Sequence, residues 1–313
     1  MKCIEEVFYK PPGDLSLVHK MIEIDTRIGI DENSLRQWIG KYPNIYTFSK
    51  SIAEELVRQH SQTASHACGI YRPSIVVSTL EEPFAGWNNG LSAILVIFLL
   101  YGLGIIHVGQ HYCYPIDLIP CDMSINVLLA MTWDLKDRWT RIHQKEAIIY
   151  NYGSSCVNPT SLKFLSDSNK NVEGTIRSRY AFFHLIPAYV ADVALVLTGR
   201  KRKAVDMYHK VHKHMDKIDY WGNGNWRIHM KNSLEVVDRL NSTDRELFFC
   251  DLKQLDWSEW CLRLWKGTIL YHLREEIPNE KGRRRYILLC IMYYGIISCF
   301  CLAILHFTIK IIT

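Results

Sequence analysis

The most informative pattern of the chain lies between residues 42 and 77, in Tyr42-Pro-Asn-Ile-Tyr46-Thr-Phe-Ser-Lys50-Ser-Ile-Ala-Glu54 and then Gly69-Ile-Tyr-Arg72-Pro-Ser-Ile-Val-Val77. Tyr46 and Lys50 are four positions apart, so a helix places both side chains on one face, about one turn apart. A phenol is a weak acid with a free pKa of about 10, and a lysine cation one turn away favours the phenolate. The two residues are therefore candidates for exchanging a proton with a carbonyl or alkoxide oxygen.

The residues around this pair predict a helix followed by a strand. Pro43 and Asn44 stand where a helix begins, and residues 67–77 form a short apolar run typical of a buried strand. A helix followed by a strand is one step of an α/β sheet. The apolar stripe of the helix consists of Ile52, Ala53, Leu56 and Val57. This context matters because an isolated Tyr-x-x-x-Lys is usually a solvated lysine beside a half-buried tyrosine.

Several segments, in the same order, resemble those of the fatty acyl-CoA reductases, a family of extended short-chain dehydrogenases. They are Tyr46–Glu54, Arg72–Val76, Glu82–Trp87, Asp117–Met123, Ile149–Pro159, His184–Tyr189, and Asp244–Asp251 with Asp256 and Trp257. The similarity covers nearly all of residues 4–274. It implies an α/β fold with an incomplete Rossmann-like domain over residues 1–172, and a mostly helical C-terminal domain over residues 178–275.

The resemblance also implies an activity and the residues that perform it. The reaction would be the NADPH-dependent reduction of a long-chain fatty acyl-CoA to a fatty alcohol. Tyr46 would donate a proton to the carbonyl oxygen, while Lys50 would lower the pKa of Tyr46 and hold the nicotinamide ribose. The backbone around Pro73, Ser74 and Ile75 would flank the nicotinamide ring.

One element of the family does not occur within residues 1–313. A dinucleotide is held at a glycine-rich turn before a helix, and the sequence contains no Gly-x-x-Gly-x-x-Gly. By comparison with the family, this turn and the catalytic serine would lie upstream of residue 1. We therefore expect residues 1–313 alone to bind NADPH weakly or not at all, and not to reduce acyl-CoA.

Two other functions fit parts of the pattern. The first is a catalytically inactive, membrane-tethered partner or pseudoenzyme, because the glycine-rich turn is missing from the sequence. The second is a 3-beta-hydroxysteroid-type oxidoreductase, which also uses Tyr-x-x-x-Lys and is membrane-bound. Residues 181–257 argue against the second, because they resemble a domain that is particular to the reductases.

A membrane helix is predicted at the C-terminal end. Tyr286–Ile309 comprises 24 residues without Asp, Glu, Lys or Arg. At about 1.5 Å per residue this segment is long enough to cross a bilayer. Arg283–Arg285 precede it and Lys310 alone follows it, so the positive-inside rule predicts one span with a cytosolic body. We expect the membrane to be that of the endoplasmic reticulum or the peroxisome.

Residues 90–108 are also apolar, but their three glycines favour a buried helix and strand.

Composition limits the remaining classes of function. The formal net charge of +5 over 313 residues is too small to indicate a nucleic-acid partner. The ten cysteines contain no Cys-x-x-Cys pair, which is typical of reduced thiols in a cytosol-facing protein. His107, His111 and Cys113 lie close together in the sequence, but no fourth ligand follows at zinc spacing. The sequence therefore predicts no metal site.

Overall fold

The computed structural model of the chain describes residues 2–10, 13, 15–90, 94–96, 115–161, 225–274 and single positions within 164–206 and 280–298. The chain divides into two compact units. The first comprises residues 1–76, 117–159 and 224–254, and the second comprises residues 77–116, 160–223 and 255–313. The predicted domain boundary between residues 172 and 178 lies outside the described residues and stays a prediction.

Strands and helices are mixed along the described chain. In order they are β1 (Lys2–Ile4), α1 (Leu15–Ile28), α2 (Glu32–Ile39), α3 (Ile45–Thr63), β2 (Gly69–Pro73), β3 (Ile75–Val76), β4 (Pro115–Ile116), β5 (Leu118–Ile119), α4 (Cys121–Ile142), β6 (Ile148–Tyr152), β7 (Thr160–Ser161), β8 (Trp226–Ile228), α5 (Lys231–Arg239), α6 (Ser242–Leu247), a 3-10 turn (Leu252–Gln254), α7 (Trp257–Gly267) and a π-helical turn (Thr268–Leu273).

The strands of the first unit pair in parallel. Strand β2 runs beside β6, with Gly69 opposite Ile148 and Pro73 opposite Tyr152. Strand β3 runs beside β5, and β1 beside β8. Parallel strands need crossover connections, and helix α4 lies between β2 and β6 in the sequence. This arrangement confirms the predicted α/β class.

The core of the first unit forms around β6, whose five residues are all buried. Helices α4 and α5 pack against this strand and against each other. The buried residues of α4 recur at helical spacing, and α5 adds a shorter apolar face. Those of α4 are Met123, Ser124, Val127, Ala130, Met131 and Asp134, and those of α5 are Ser233, Val236 and Val237. Each large apolar side chain buried in this way contributes about 1.5–3 kcal/mol relative to exposure.

Helices α1, α2 and α3 enclose a smaller cluster of buried side chains. It consists of Met21, Ile39, Phe48 and Ile52. The sequence predicts short helices at Asp14–Glu23 and Glu32–Ile39 with Asp31 or Asn33 as a cap. The structure confirms both helices. Asp31 is the cap, because its Oδ1 accepts the backbone N–H groups of Asn33 and Ser34 at 3.0 and 3.1 Å.

In the second unit, helix α7 packs closely against the segment that follows β3. Trp260 is fully buried, and its indole N–H donates to the carbonyl oxygen of Ser78 at 3.3 Å. Gly86 and Gly267 bring the two backbones together, since a Cβ on either glycine would overlap backbone atoms of the other segment. Gly86 also has a positive φ of 74°. Only glycine fits this contact without strain.

We expect Gly86→Ala to lower the free energy of unfolding by about 3 kcal/mol, because a left-handed φ costs about 1–2 kcal/mol and the backbone overlap adds a similar amount. Gly29→Ala is the matched control. Gly29 has the same φ of +74°, but none of the described residues lies within 4 Å of its Cβ position. Urea denaturation of both variants separates the two costs. Equal losses would show that the backbone contact of Gly86 is unimportant.

The six cysteines among the described residues are free thiols, and the predicted reduced state of the protein stays a prediction. Cys3 is exposed, whereas Cys250 and Cys261 are buried. Burial raises the pKa of both buried thiols to about 12. Because thiols react as thiolates, burial protects both groups in two ways: it keeps the reagent away from the sulfur, and it keeps the sulfur protonated.

We expect iodoacetamide to alkylate Cys3 in the native chain and to leave Cys250 and Cys261 unmodified until guanidinium is added. Peptide mass spectrometry measures this, and early labelling of Cys261 would contradict it.

Within the described residues, no helix is long and apolar enough to cross a membrane.

Three predictions fall mainly outside the described residues. Only six positions of the predicted span Tyr286–Ile309 are described, and each of them is helical. Residues 91–93 and 97–114 are not described either, so the predicted helix and strand of that segment stay predictions. The same holds for His107, His111 and Cys113.

Candidate functional site

Helix α3 positions the predicted tyrosine and lysine. Asn44 precedes the helix in an extended conformation, and its side-chain oxygen accepts the N–H of Thr47 at 2.9 Å. This cap starts the helix at Ile45, which confirms the predicted start. Tyr46 therefore lies in the first turn of α3, and Lys50 lies one turn further on.

The structure brings Tyr46 and Lys50 together. The Lys50 ammonium lies 5.6 Å from the centre of the Tyr46 ring, within the range in which a cation and an aromatic ring attract each other. The Tyr46 side chain is 64% exposed. An exposed phenol beside a cation is accessible to a bound substrate, which is the arrangement that proton donation to a carbonyl oxygen requires.

A pair of charged residues aligns this helix with strand β2. Arg72 donates from Nε to Glu54 Oε1 at 2.6 Å and from a terminal nitrogen to Glu54 Oε2 at 2.7 Å. The same guanidinium donates to the carbonyl oxygens of Glu5 and Val7 at 3.0 and 3.1 Å. Such two-point bonds are geometrically specific. Sequence reasoning assigned Glu54 and Arg72 no role. The available signal was the position of Glu54, on the same helix face as Tyr46 and Lys50.

The direction of α3 places Tyr46 near the carboxyl end of β2. Ser61, near the end of the helix, accepts the N–H of Ala147 just before β6, whereas Glu54 bonds Arg72 near the end of β2. Helix and strand therefore run in opposite directions. From Glu54 back to Tyr46 the helix rises about 12 Å, and from Arg72 to Ile75 the extended chain covers about 10 Å. The end of α3 that carries Tyr46 therefore points toward the carboxyl end of β2.

The backbone changes its pairing partner at Ser74. The Ser74 N–H donates to the carbonyl oxygen of Tyr152 in β6 at 2.8 Å, and the Ile75 N–H donates to that of Asp117 at 3.3 Å. Pro73 and Ile75 are exposed, while the Ser74 hydroxyl is buried without a hydrogen-bond partner among the described residues. Ligands of α/β sheets bind at the carboxyl ends of strands. The exposed residues Pro73 and Ile75 therefore form part of the accessible surface at this end of β2.

Asp117 orders the neighbouring loop, a role that sequence reasoning missed. Its carboxylate is buried and accepts the N–H groups of Ser154 and Ser155 at 2.6 and 3.2 Å. A Cβ on Gly153 would lie 2.7 Å from Asp117 Oδ1, so glycine is required there. These contacts shape the turn after β6, next to the carboxyl end of β2. The only sequence signal was the resemblance of Asp117–Met123 to the reductase segment.

The site fits one half of a dinucleotide. Tyr46 and Lys50 offer a hydroxyl and a cation, the polar groups that a nicotinamide ribose and a substrate carbonyl would need. In the part of the chain that the structure describes, no glycine-rich turn opens a helix, so no described element fits the pyrophosphate. The five predicted site residues thus cluster around one position, and their roles stay predictions.

Comparison with known proteins places these observations in a family context. Two family models, both described as male sterility protein, match residues 5–128 and 183–275, together more than half of the chain. Fatty acyl-CoA reductase 1 of Rattus norvegicus is 28% identical over 309 residues, which cover 91% of this chain and 58% of the rat protein.

Two further relatives show the same extent of similarity. Fatty acyl-CoA reductase wat of Drosophila melanogaster is 26% identical over 329 residues, covering 96% of this chain and 61% of the fly protein. Fatty acyl-CoA reductase 2 of Homo sapiens is 28% identical over 312 residues, covering 90% of this chain and 58% of the human protein. The chain therefore spans less than two thirds of the length of these curated relatives.

Proposed function

Because the chain belongs to the fatty acyl-CoA reductase family, we propose that it takes part in the NADPH-dependent reduction of a long-chain fatty acyl-CoA to a fatty alcohol. The observation that carries this proposal is the exposed pair of Tyr46 and Lys50, held at the carboxyl end of β2 by the Glu54–Arg72 contact. The α/β architecture and the nicotinamide-nucleotide-binding family match over residues 5–128 support it.

The residues of the site have distinct tasks in this reaction. When bound, NADPH supplies the hydride that adds to the carbonyl carbon of the substrate. Tyr46 Oη donates the proton to the carbonyl oxygen, and the nearby Lys50 ammonium stabilises the phenolate that remains. Lys50 would also hold the ribose, and the backbone around Pro73, Ser74 and Ile75 would flank the nicotinamide ring. Each of the two reductions would consume one NADPH and one proton: the first would convert the thioester to the aldehyde and release coenzyme A, and the second would convert the aldehyde to the alcohol.

A second candidate function is that of an inactive, membrane-tethered partner of such a reductase. It applies only to a protein that lacks a glycine-rich turn altogether, and residues 1–313 contain no Gly-x-x-Gly-x-x-Gly sequence. Without backbone N–H groups at a glycine-rich helix start, the pyrophosphate gains little binding energy. Tyr46 and Lys50 would then have a structural role rather than a catalytic one.

The two candidates are separated by comparing residues 1–313 with the same residues preceded by the in-frame upstream sequence of the transcript. NADPH and NADH are titrated by fluorescence, and alcohol formed from palmitoyl-CoA is measured by gas chromatography. The reductase proposal expects turnover with NADPH in the longer protein and little in residues 1–313. Micromolar NADPH binding with steady turnover by residues 1–313 would instead show that another part of the chain holds the cofactor. Absence of turnover in both proteins would favour the inactive partner.

We also propose that Tyr286–Ile309 anchors the protein in the membrane of the endoplasmic reticulum or the peroxisome, with its body in the cytosol. The segment is free of Asp, Glu, Lys and Arg, and three arginines precede it.

Deletion of Tyr286–Thr313 is expected to move most of the protein from the carbonate-washed membrane pellet to the supernatant, because the apolar span supplies the binding energy. Cell fractionation with immunoblotting measures the distribution. Exchange of Arg283–Arg285 for lysines is the control, since it keeps the charge and should leave the protein in the pellet. A truncated protein that pellets as firmly as the full chain would place the anchor elsewhere, for example in residues 90–108.

A further inference from the structure

Three metal-binding side chains converge where helix α3 ends and strand β2 begins. His60 lies in the last turn of the helix, His66 lies in the connection, and Cys68 immediately precedes the strand. One ligand atom of each, a ring nitrogen or the sulfur, lies within 4.8 Å of the other two. The cluster is at the opposite end of α3 from Tyr46 and is separate from the site described above.

The two imidazoles have the separation that a shared metal ion requires. Their ring centres are 5.4 Å apart and their planes are inclined by 45°. With metal–nitrogen bonds of about 2.0–2.1 Å and tetrahedral angles, two bound imidazoles place their ring centres roughly 5 Å apart. Small side-chain rotations would therefore bring both nitrogens and the Cys68 sulfur to bonding distance of one ion.

The backbone on both sides of the cluster is fixed by hydrogen bonds. The Ala64 N–H donates to the carbonyl oxygen of His60 at 3.0 Å, and the Ile148 N–H donates to that of Cys68 at 3.3 Å. The side chains of His60 and His66 are exposed, and that of Cys68 is half-buried. The site is thus open to an ion from solution and leaves room for water as a fourth ligand.

We propose that His60, His66 and Cys68 form a binding site for a zinc-class transition-metal ion. Two imidazole nitrogens and one thiolate suit Zn²⁺ and Co²⁺, whereas Mg²⁺ and Ca²⁺ prefer oxygen ligands. The bound ion links the end of α3 to the start of β2. Because the folded chain holds the three ligand atoms within 4.8 Å of one another, it should bind the ion more tightly than the unfolded chain, and binding then stabilises the fold. The spacing His-x5-His-x-Cys is visible in the sequence, but it lacks a second pair of ligands and so was not predicted as a metal site.

The test uses tag-free 1–313 protein in detergent, under reducing conditions, titrated with Co²⁺ and then with Zn²⁺. Absorption spectra are expected to show a thiolate-to-cobalt charge-transfer band and visible bands typical of four-coordinate cobalt, with one equivalent bound. Zn²⁺ should displace the cobalt. At about 100 times its dissociation constant, Zn²⁺ should raise the melting temperature by about 5 °C.

Variants assign the ligands. Cys68→Ser is expected to abolish the charge-transfer band, and His60→Ala and His66→Ala to weaken cobalt binding by at least about tenfold. Cys3→Ser is the matched control. Cys3 is an exposed cysteine beside Glu5 and His229, a second group with metal-binding side chains in which His229 already lies 3.0 Å from a Glu5 oxygen. His60→Gln repeats the test if His60→Ala has altered circular dichroism. The proposal would be wrong if the charge-transfer band were absent in the wild type, survived in Cys68→Ser or disappeared in Cys3→Ser.

Discussion

Tyr46→Phe is expected to lower alcohol formation by about 10²- to 10⁴-fold, because it removes the proton donor of the reaction. The variant is made in whichever of the two proteins, residues 1–313 or the longer form, forms alcohol. NADPH binding should change little, since only a hydroxyl group is lost from a side chain that is 64% exposed. Helix α3 should keep its position, because the Glu54–Arg72 contact is untouched. The measurement combines kcat for alcohol formation with a fluorescence titration of NADPH.

Two further variants interpret this result. Lys50→Ala is expected to weaken both turnover and NADPH binding, because the same ammonium stabilises the phenolate and holds the ribose. Tyr42→Phe is the matched control, as Tyr42 lies just before α3 and its hydroxyl is 3.0 Å from Ser51 Oγ. It should leave turnover within about twofold of the wild type. A Tyr46→Phe protein with near-normal turnover would remove Tyr46 from the mechanism.

Asp134→Ala is expected to lower the free energy of unfolding by about 1–3 kcal/mol, because it leaves the buried Tyr150 hydroxyl without its acceptor and removes the buried carboxylate that two partly exposed arginines share. The Asp134 side chain is fully buried in helix α4. Its carboxylate accepts bonds from the Tyr150 hydroxyl at 2.7 Å, from Arg138 Nε at 2.8 Å and from Arg239. This one group therefore connects α4, β6 and α5. Burial and the adjacent carboxylate raise the pKa of Tyr150, so its hydroxyl remains a donor.

Asp137→Ala serves as the control for this network. Asp137 lies one turn further along α4 and also bonds Arg239, but its side chain is 29% exposed. Exposed ion pairs contribute about 0–1 kcal/mol, so its loss should be small. Urea denaturation measures both variants. Equal effects would mean that burial of Asp134 adds no stabilisation.

The sequence by itself determined the local elements of the fold and singled out Tyr46 and Lys50 as the candidate pair. The α3 helix, its asparagine cap and the spacing of Tyr46 and Lys50 follow from patterns within a few residues. The buried strand predicted at Ala147–Tyr152 is β6, and the helix predicted at Asp122–Leu135 is α4, which extends to Ile142. Helical and strand periodicities are local properties of the sequence, although only a helix satisfies its backbone hydrogen bonds locally.

Only the tertiary structure decided which of these elements meet. Arg72 bonds Glu54 across 18 positions, and Arg239 reaches Asp134 across 105. Helix α5 packs against β6, although the sequence places it in the range of the predicted C-terminal domain. The sequence predicts that an apolar helix face will be buried and that a buried charged side chain will be paired. It does not predict the partner, because many apolar faces and many opposite charges in the chain could serve. The choice depends on the packing of the whole unit, which no single segment encodes.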